Sequence, residues 1–132
     1  MVLLMVGAGG LIGASLRYLV STWVQGATGD GAFPYGALAV NAAGCLVIGL
    51  VAGYAEARHP LSSEAQAFLV VGVLGGFTTF SAFGIDTIRL IRDGAYLAAS
   101  ANVVLQVAVG LAAVIIGLRL AQWGYERLAA GQ

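Results

Sequence analysis

Four long apolar segments constrain what this chain can fold into more than any other feature of its sequence. They run over residues 2–24, 32–55, 65–91 and 95–118. A helix needs about 20 predominantly apolar residues to cross the hydrocarbon core of a membrane. The connections between segments are short, so we predict one all-α transmembrane domain over residues 1–132, with the fourth helix continuing to about residue 123.

Composition excludes the usual soluble classes. Charged residues make up 9% of the chain and hydrophobic residues 60%, whereas soluble domains carry about 25% charged residues. We therefore predict an integral, multi-pass membrane protein embedded in a lipid bilayer. A net charge of zero gives no basic surface, and we expect no nucleic-acid partner. No basic stretch precedes the first segment, so we do not expect it to be cleaved as a signal peptide.

Two residues that often bind metals are assigned structural places. Cys45 is the only cysteine and lies within the second segment, where a small packing residue is the favoured interpretation. His59 lies beside Pro60 in a polar connection, with no cysteine or second histidine to complete a site. We predict a solvated loop histidine there.

The arginines are balanced across the membrane. With four spans, one side carries Arg58, Arg119 and Arg127, and the other carries Arg17, Arg89 and Arg92. The acids divide equally as well, with Glu56, Glu64 and Glu126 against Asp30, Asp86 and Asp93. Orientation follows the excess of Lys and Arg in short cytoplasmic loops. Two interpretations stay open: the first helix overrides a weak signal, or the chain inserts both ways and pairs antiparallel with itself.

Glycines at small-residue spacing predict close helix packing. Gly7, Gly10 and Gly13 also suggest a dinucleotide-binding turn, but that turn needs a strand, a helix and a second strand that ends in an acid. Here three further apolar spans follow, two of them without any charged residue, which does not fit that fold. In lipid, small residues four apart let helices approach closely. This spacing occurs at Gly9 and Gly13, at Gly49 and Gly53, and at Gly72 and Gly76.

The stretch from Gly75 to Gly84 departs from helix-forming chemistry inside the third segment. It contains glycines, two threonines and a serine between apolar flanks. Neither flank spans a bilayer alone, which indicates a discontinuous helix with its break near the midplane. A break frees backbone carbonyls, which are hard ligands for a small cation. No Asp or Glu lies between Glu64 and Asp86, so we predict an ion or substrate site built from backbone.

Several polar side chains lie within the apolar spans, and each has two interpretations. Asn41 either bonds to another helix or lines a pore, and Asn102 and Gln106, four apart on one helix face, form either a polar track or interhelical bonds. Arg17 either snorkels to the interface or guards the mouth of an anion pathway. Phe77, Phe80 and Phe83 pack in the core or offer positive ring edges to a small anion.

Three motifs resemble those of one family. Gly-Gly-Phe-Thr-Thr-Phe-Ser-Ala-Phe at 75–83 looks like the signature of the CrcB/Fluc fluoride channels. Gly-Ala-Ser-Leu-Arg-Tyr at 13–18 and Gly-Ala-Leu-Ala-Val-Asn-Ala-Ala-Gly at 36–44 are similar to the family's first- and second-helix motifs. The resemblance covers essentially the whole chain, in order and at the right length.

The resemblance implies a passive fluoride exporter of the bacterial plasma membrane, built as an antiparallel, dual-topology homodimer with two pores. It assigns Phe80, Phe83 and Asn41 to the fluoride path, with Thr79 and Ser81 as neighbouring hydroxyls and Arg17 near the vestibule. Gly75 and Thr78 match positions whose carbonyls hold a central structural sodium. The chain departs from the pattern at Gln106, where a serine is expected, and Phe77 stands at a variable position and is assigned to packing.

Two other function classes compete with a channel. A small multidrug exporter also has four helices and can pair antiparallel, but proton-coupled export of cations needs an intramembrane carboxylate. The nearest candidate, Asp86, lies toward a helix end. The other class is a partner subunit active only in a heterodimer, against which the balanced charge argues. No acid, histidine or nucleophile is placed for catalysis, so we do not expect an enzyme.

Overall fold

The computed structural model describes residues 1–29, 31–57 and 60–130, and these form helices joined by short connections. No strand occurs within those ranges, which confirms the all-α prediction. Asp30, Arg58 and His59 lie outside the described residues, and so do the predictions made for them. Four helical stretches are long and apolar enough to cross a membrane.

The first, second and fourth spans are regular helices. Helix α1 comprises Val2–Ala27 and α2 comprises Tyr35–Ala57. The fourth span, named α6 after the shorter elements of the third, comprises Tyr96–Ala130. At a rise of about 1.5 Å per residue, its 35 residues measure about 52 Å, well beyond a hydrocarbon core of about 30 Å. The helix therefore continues past its predicted end near residue 123.

The third span, residues 63–92, is assembled from several pieces. Helix α3 comprises Ser63–Ala65, a π-helix (π1) comprises Gln66–Leu74, α4 comprises Gly75–Phe77, and α5 comprises Phe80–Arg92. Sustained π-helix is rare, and isolated π-turns occur often at functional sites. A glycine motif ends α5: Gly94, at φ 74°, donates to the Ile91 carbonyl, and Ala95 donates to the Leu90 carbonyl.

The predicted glycine faces bring backbones into contact, which confirms them as packing surfaces. Gly9 and Gly13 of α1 are buried against the third span. A Cβ atom on Gly9 would lie 2.9 Å from the Val73 nitrogen, and one on Gly13 would lie 2.9 Å from the Phe77 nitrogen. Neither neighbour can move cheaply, since both are backbone atoms. The first span and the first half of the third therefore pack as a pair.

Helices α2 and α6 form the second close pair. A Cβ on Gly53 would lie 2.8 Å from the Leu118 oxygen, and one on Gly117 would lie 2.8 Å from the Leu50 nitrogen. Small residues thus face each other from both helices. This pair supplies Asn41 and Gln106 to the region where the third span loses its regular helix.

Candidate functional site

The regular helix of the third span stops for two residues between α4 and α5. Thr78 has ψ 155°, and Thr79 has φ −150° and ψ 114°, so both are extended. Thr79 then caps α5, since its Oγ1 accepts a hydrogen bond of 3.2 Å from the Ala82 N–H. Its hydroxyl also lies 3.1 Å from Ser81 Oγ. The polar side chains of the signature motif thus hold the start of α5.

Asn41 fastens this extended segment to α2. Its Oδ1 accepts from the Thr79 N–H at 2.8 Å, and its Nδ2 donates to the Thr79 carbonyl at 3.1 Å. One carboxamide therefore satisfies both backbone groups of an extended residue, which the hydrocarbon of a bilayer could not do. Nδ2 also donates to Gln106 Oε1 at 3.1 Å, so α6 joins the same network. In this chain Asn41 makes the interhelical bonds of its first interpretation.

Two carbonyls beside the extended segment lose their ordinary helical donors. In a continuous α-helix the Thr79 N–H would donate to the Gly75 carbonyl, and the Ala82 N–H to the Thr78 carbonyl. Instead Thr79 donates to Asn41, and Ala82 donates to the Thr79 hydroxyl. The carbonyl oxygens of Gly75 and Thr78 are thus available to another hydrogen-bond donor or to a cation.

A cavity of about 470 Å³ opens on one side of the extended segment. Among its lining residues are Asn41, Gly75, Thr78, Thr79, Phe80, Phe83 and Gln106. The rings of Phe80 and Phe83 lie 5.2 Å apart between centroids and are tilted by 58°. Phe80 is 82% exposed, so nothing within this chain covers its ring. Most of the residues that the sequence singled out therefore surround one space.

A larger cavity of about 950 Å³ lies on the other side of the same segment. Arg17, Ser81 and Thr79 line it, together with Asp86 and Arg89. Arg89 lies 3.3 Å from Asp86 in an exposed pair on α5, the type of contact that contributes little to stability. Thr79 borders both cavities, so the extended segment separates a charged space from an aromatic one.

Asn102 does not share the cavity with Gln106, although the two lie four residues apart on α6. It is fully buried and donates from Nδ2 to Thr87 Oγ1 at 2.9 Å. Gln106 contacts the site through Asn41, and its Nε2 is buried without a hydrogen-bond partner among the described residues. The predicted polar track therefore divides into two separate interhelical contacts.

Sequence reasoning missed Thr87, which bonds to both Asn102 and the Phe83 carbonyl. A signal was available: Thr87 lies four residues after Phe83, and therefore on the same face of α5. Cys45 is a free cysteine and lines the same cavity as Phe80 and Phe83. Phe77 packs near Gly13 and Gly44, in agreement with the packing role predicted for it.

Comparison with known proteins identifies the family. The family model described as "CrcB-like protein, Camphor Resistance (CrcB)" matches residues 4–118. The Fluoride-specific ion channel FluC of Rhizobium meliloti (strain 1021) is 44% identical over 118 residues, which cover 89% of this chain and 94% of that protein.

Relatives from other sources agree. The channel of the same name from Rhizobium leguminosarum bv. trifolii (strain WSM2304) is 46% identical over 87% of this chain and 91% of its own length. The one from Chloroflexus aurantiacus (strain ATCC 29366 / DSM 635 / J-10-fl) is 43% identical over 92% of this chain and 95% of its own length. These relatives are named as ion channels, not as enzymes. The chain is a multi-pass membrane protein and belongs to the CrcB-like family.

Proposed function

We propose that this protein is a fluoride-selective channel that lets fluoride leave the cytoplasm passively. The observation that carries the proposal is the extended segment at Thr78 and Thr79, which Asn41 holds beside the rings of Phe80 and Phe83. Its relatives, named as fluoride-specific channels, match it along most of their length. The interruption lies near the middle of the bilayer in this proposal, where irregular backbone is tolerated only beside protein or a polar cavity.

The chemistry of the aromatic cavity suits a small anion that must move on. Phenylalanine rings carry a positive edge and offer no strong hydrogen bond. Helix α5 begins at Phe80, and the amino-terminal end of a helix is partly positive. Both effects attract fluoride weakly, as conduction requires. In this proposal the larger cavity is the mouth of the fluoride path. Thr79 and Ser81 line it, and its Arg17 concentrates anions there.

The working unit in this proposal is an antiparallel pair of identical chains with two pores. Phe80 is 82% exposed, and Gly75 beside it is exposed as well, so one face of the aromatic cavity is open. A second copy would cover that face and complete each path. The arginines, balanced three against three by sequence position, favour insertion in both orientations.

A sodium ion at the centre of the pair fits the free carbonyls. Gly75 and Thr78 each present a backbone oxygen that lacks its helical donor, and two chains would supply four such oxygens in all. Clusters of three or more His, Cys, Asp or Glu side chains are absent from the described residues. A hard cation held by carbonyl oxygens needs none of them. Its role is to pin the two chains together at the interruption.

Purified protein in liposomes tests the channel. We expect passive efflux of fluoride, followed with a fluoride electrode after a potassium ionophore is added, with little efflux from matched liposomes loaded with chloride. A folded homodimer that passes no fluoride would contradict the proposal. Proton-driven uptake of organic cations would instead support a small multidrug exporter.

Antiparallel assembly has its own test. An accessible tag on each terminus, labelled from one side of intact membrane vesicles, should report roughly equal populations in the two orientations. Labelling of a single orientation would remove the dual-topology arrangement and leave the channel proposal standing.

A further inference from the structure

Asn102 is a polar side chain at a buried position where an apolar side chain would be more stabilising. It is 0% exposed on α6, and its Oδ1 is buried without a hydrogen-bond partner among the described residues. Leaving a buried acceptor unpaired is unfavourable, and a leucine of similar size would avoid that penalty. The amide is therefore retained for something that its one bond does.

That bond reaches the first turns of α5. Asn102 Nδ2 donates to Thr87 Oγ1 at 2.9 Å, and Thr87 Oγ1 lies 2.8 Å from the Phe83 carbonyl. A hydroxyl has a single hydrogen, and the Phe83 carbonyl can only accept. Thr87 consequently accepts from Asn102 and donates to Phe83. The two bonds form a directed chain from α6 to the backbone of the residue whose ring lines the aromatic cavity.

The start of α5 needs such a restraint. The helix follows two extended residues, so its first turn has no preceding helical turn to fix it, and helix ends fray. Asn41 and the Thr79 cap hold the segment from the α2 side. The Asn102 and Thr87 pair holds it from the α6 side, through the carbonyl of Phe83, which lies four residues after Thr79. Both restraints act on the stretch of backbone that carries the Phe80 and Phe83 rings.

We propose that Asn102 and Thr87 are positioning residues that fix Phe83 against Phe80, and that this setting determines fluoride conduction and its selectivity over chloride. The inference rests on the proposed channel function, because it assigns the ring pair to the fluoride path. A merely structural role predicts a change in the stability of the α5 and α6 contact and no change in the ring or the selectivity.

The principal variant is Thr87→Val, which keeps the shape of the side chain and removes the hydroxyl. We expect fluoride efflux per folded dimer to fall by about tenfold, as for the loss of an orienting hydrogen bond, with a lower ratio of fluoride to chloride efflux. Thr87→Ser restores the hydroxyl and should recover both quantities. The matched control is Thr28→Val, because Thr28 also donates to a carbonyl four residues back, at 2.9 Å, without a second helix as partner.

A second readout does not depend on conduction. With 4-fluorophenylalanine at position 83, the fluorine NMR signal should shift or broaden in Thr87→Val and Asn102→Leu, and should match the parent in Thr28→Val and Thr87→Ser. Asn102→Leu fills its site with an apolar group, so it serves if Thr87→Val does not fold. Ring signals and selectivity that match the parent in the folded variants would overturn the inference.

The failure of the two proposals can be told apart. If the unsubstituted protein passes no fluoride, the proposed function fails, and the ring signal still tests the link from Asn102 to Phe83. If the unsubstituted protein conducts and Thr87→Val conducts with unchanged selectivity, the positioning role fails and the channel stands.

Discussion

Glycine has different roles in two regions of the molecule, the close pair of α2 and α6 and the third span. In the pair, Gly53 and Gly117 bring two continuous helices into backbone contact. In the third span, Gly75 and the residues after it accompany a loss of helix, and Thr78 and Thr79 are extended. Glycine thus stabilises packing where the helical hydrogen bonds are complete and accompanies irregular backbone where they are interrupted.

The difference shows how the molecule supports an interruption within an apolar span. The side chains that bond to the third span, Asn41 and Asn102, project from the close-packed pair, and Gln106 of the same pair accepts a hydrogen bond from Asn41. We call the α2 and α6 pair the frame and the extended residues Thr78 and Thr79 the interruption. Hydrogen bonds from the frame hold the third span at and after the interruption. Substitutions in the frame should therefore affect stability first, and substitutions at the interruption should affect conduction first.

The largest effect is expected at the rings. Phe80→Ile or Phe83→Ile removes a positive ring edge and keeps an apolar side chain. Fluoride efflux should therefore fall to the level of fluoride-loaded liposomes that contain no protein. The dimer should stay intact on size-exclusion chromatography, because isoleucine keeps an apolar side chain on the face that the second copy covers. Phe77→Ile is the matched control from the same motif and should retain efflux. Full conduction by both isoleucine variants would remove the ring-edge mechanism.

The next effect breaks the frame. Gly117→Ala places a Cβ against the Leu46 carbonyl and 2.8 Å from the Leu50 nitrogen, and these backbone atoms cannot yield without separating the helices. We expect a loss of about 3 kcal/mol or more in the free energy of unfolding in detergent. Gly124→Ala, on the same helix with no atom within 4 Å, should be neutral or slightly stabilising. Equal stability of the two variants would contradict the close contact.

A third pair of substitutions tests Asn41, which joins the frame to the third span. Asn41→Ala leaves both backbone groups of Thr79 without their partner and should cost about 1–3 kcal/mol in the free energy of unfolding. Fluoride efflux should be lost as well, because the extended segment is released. Gln25→Ala is the comparison, since Gln25 also pins backbone, at Phe33 and Gly36, but at the connection of α1 to α2. It should lower stability and spare most of the efflux; equal loss of efflux in both variants would deny Asn41 a local role.

The smallest effect concerns sodium. If Gly75 and Thr78 of two chains bind the ion, replacing sodium by N-methyl-D-glucamine at constant ionic strength should lower the melting temperature. At a sodium concentration about tenfold above Kd, the loss is roughly 1.4 kcal/mol. A melting temperature that is indifferent to the cation would refute the ion site and leave the ring-edge path untouched.

The sequence by itself determined the four spans, the all-helical class and the family. Runs of about 20 apolar residues must satisfy their backbone groups within the segment, so helices follow from length and composition alone. The motif at 75–83 contains the two extended residues, Thr78 and Thr79, whereas the π-helix that precedes it at Gln66–Leu74 was not predicted. The glycine spacings marked the packing faces, because small residues four apart lie together on any helix.

Only the tertiary structure decided which polar groups meet. Asn41 bonds to Thr79, 38 residues away, and to Gln106, 65 residues away, while Asn102 turns to Thr87 on another helix. Periodicity places these side chains on helix faces, but the rotation of each helix about its axis depends on how every neighbour packs. The sequence therefore left a pore and an interhelical bond open for Asn41. The packing of α2 against α6 and the third span makes the bonds, and it also leaves Asn41 in the lining of the aromatic cavity.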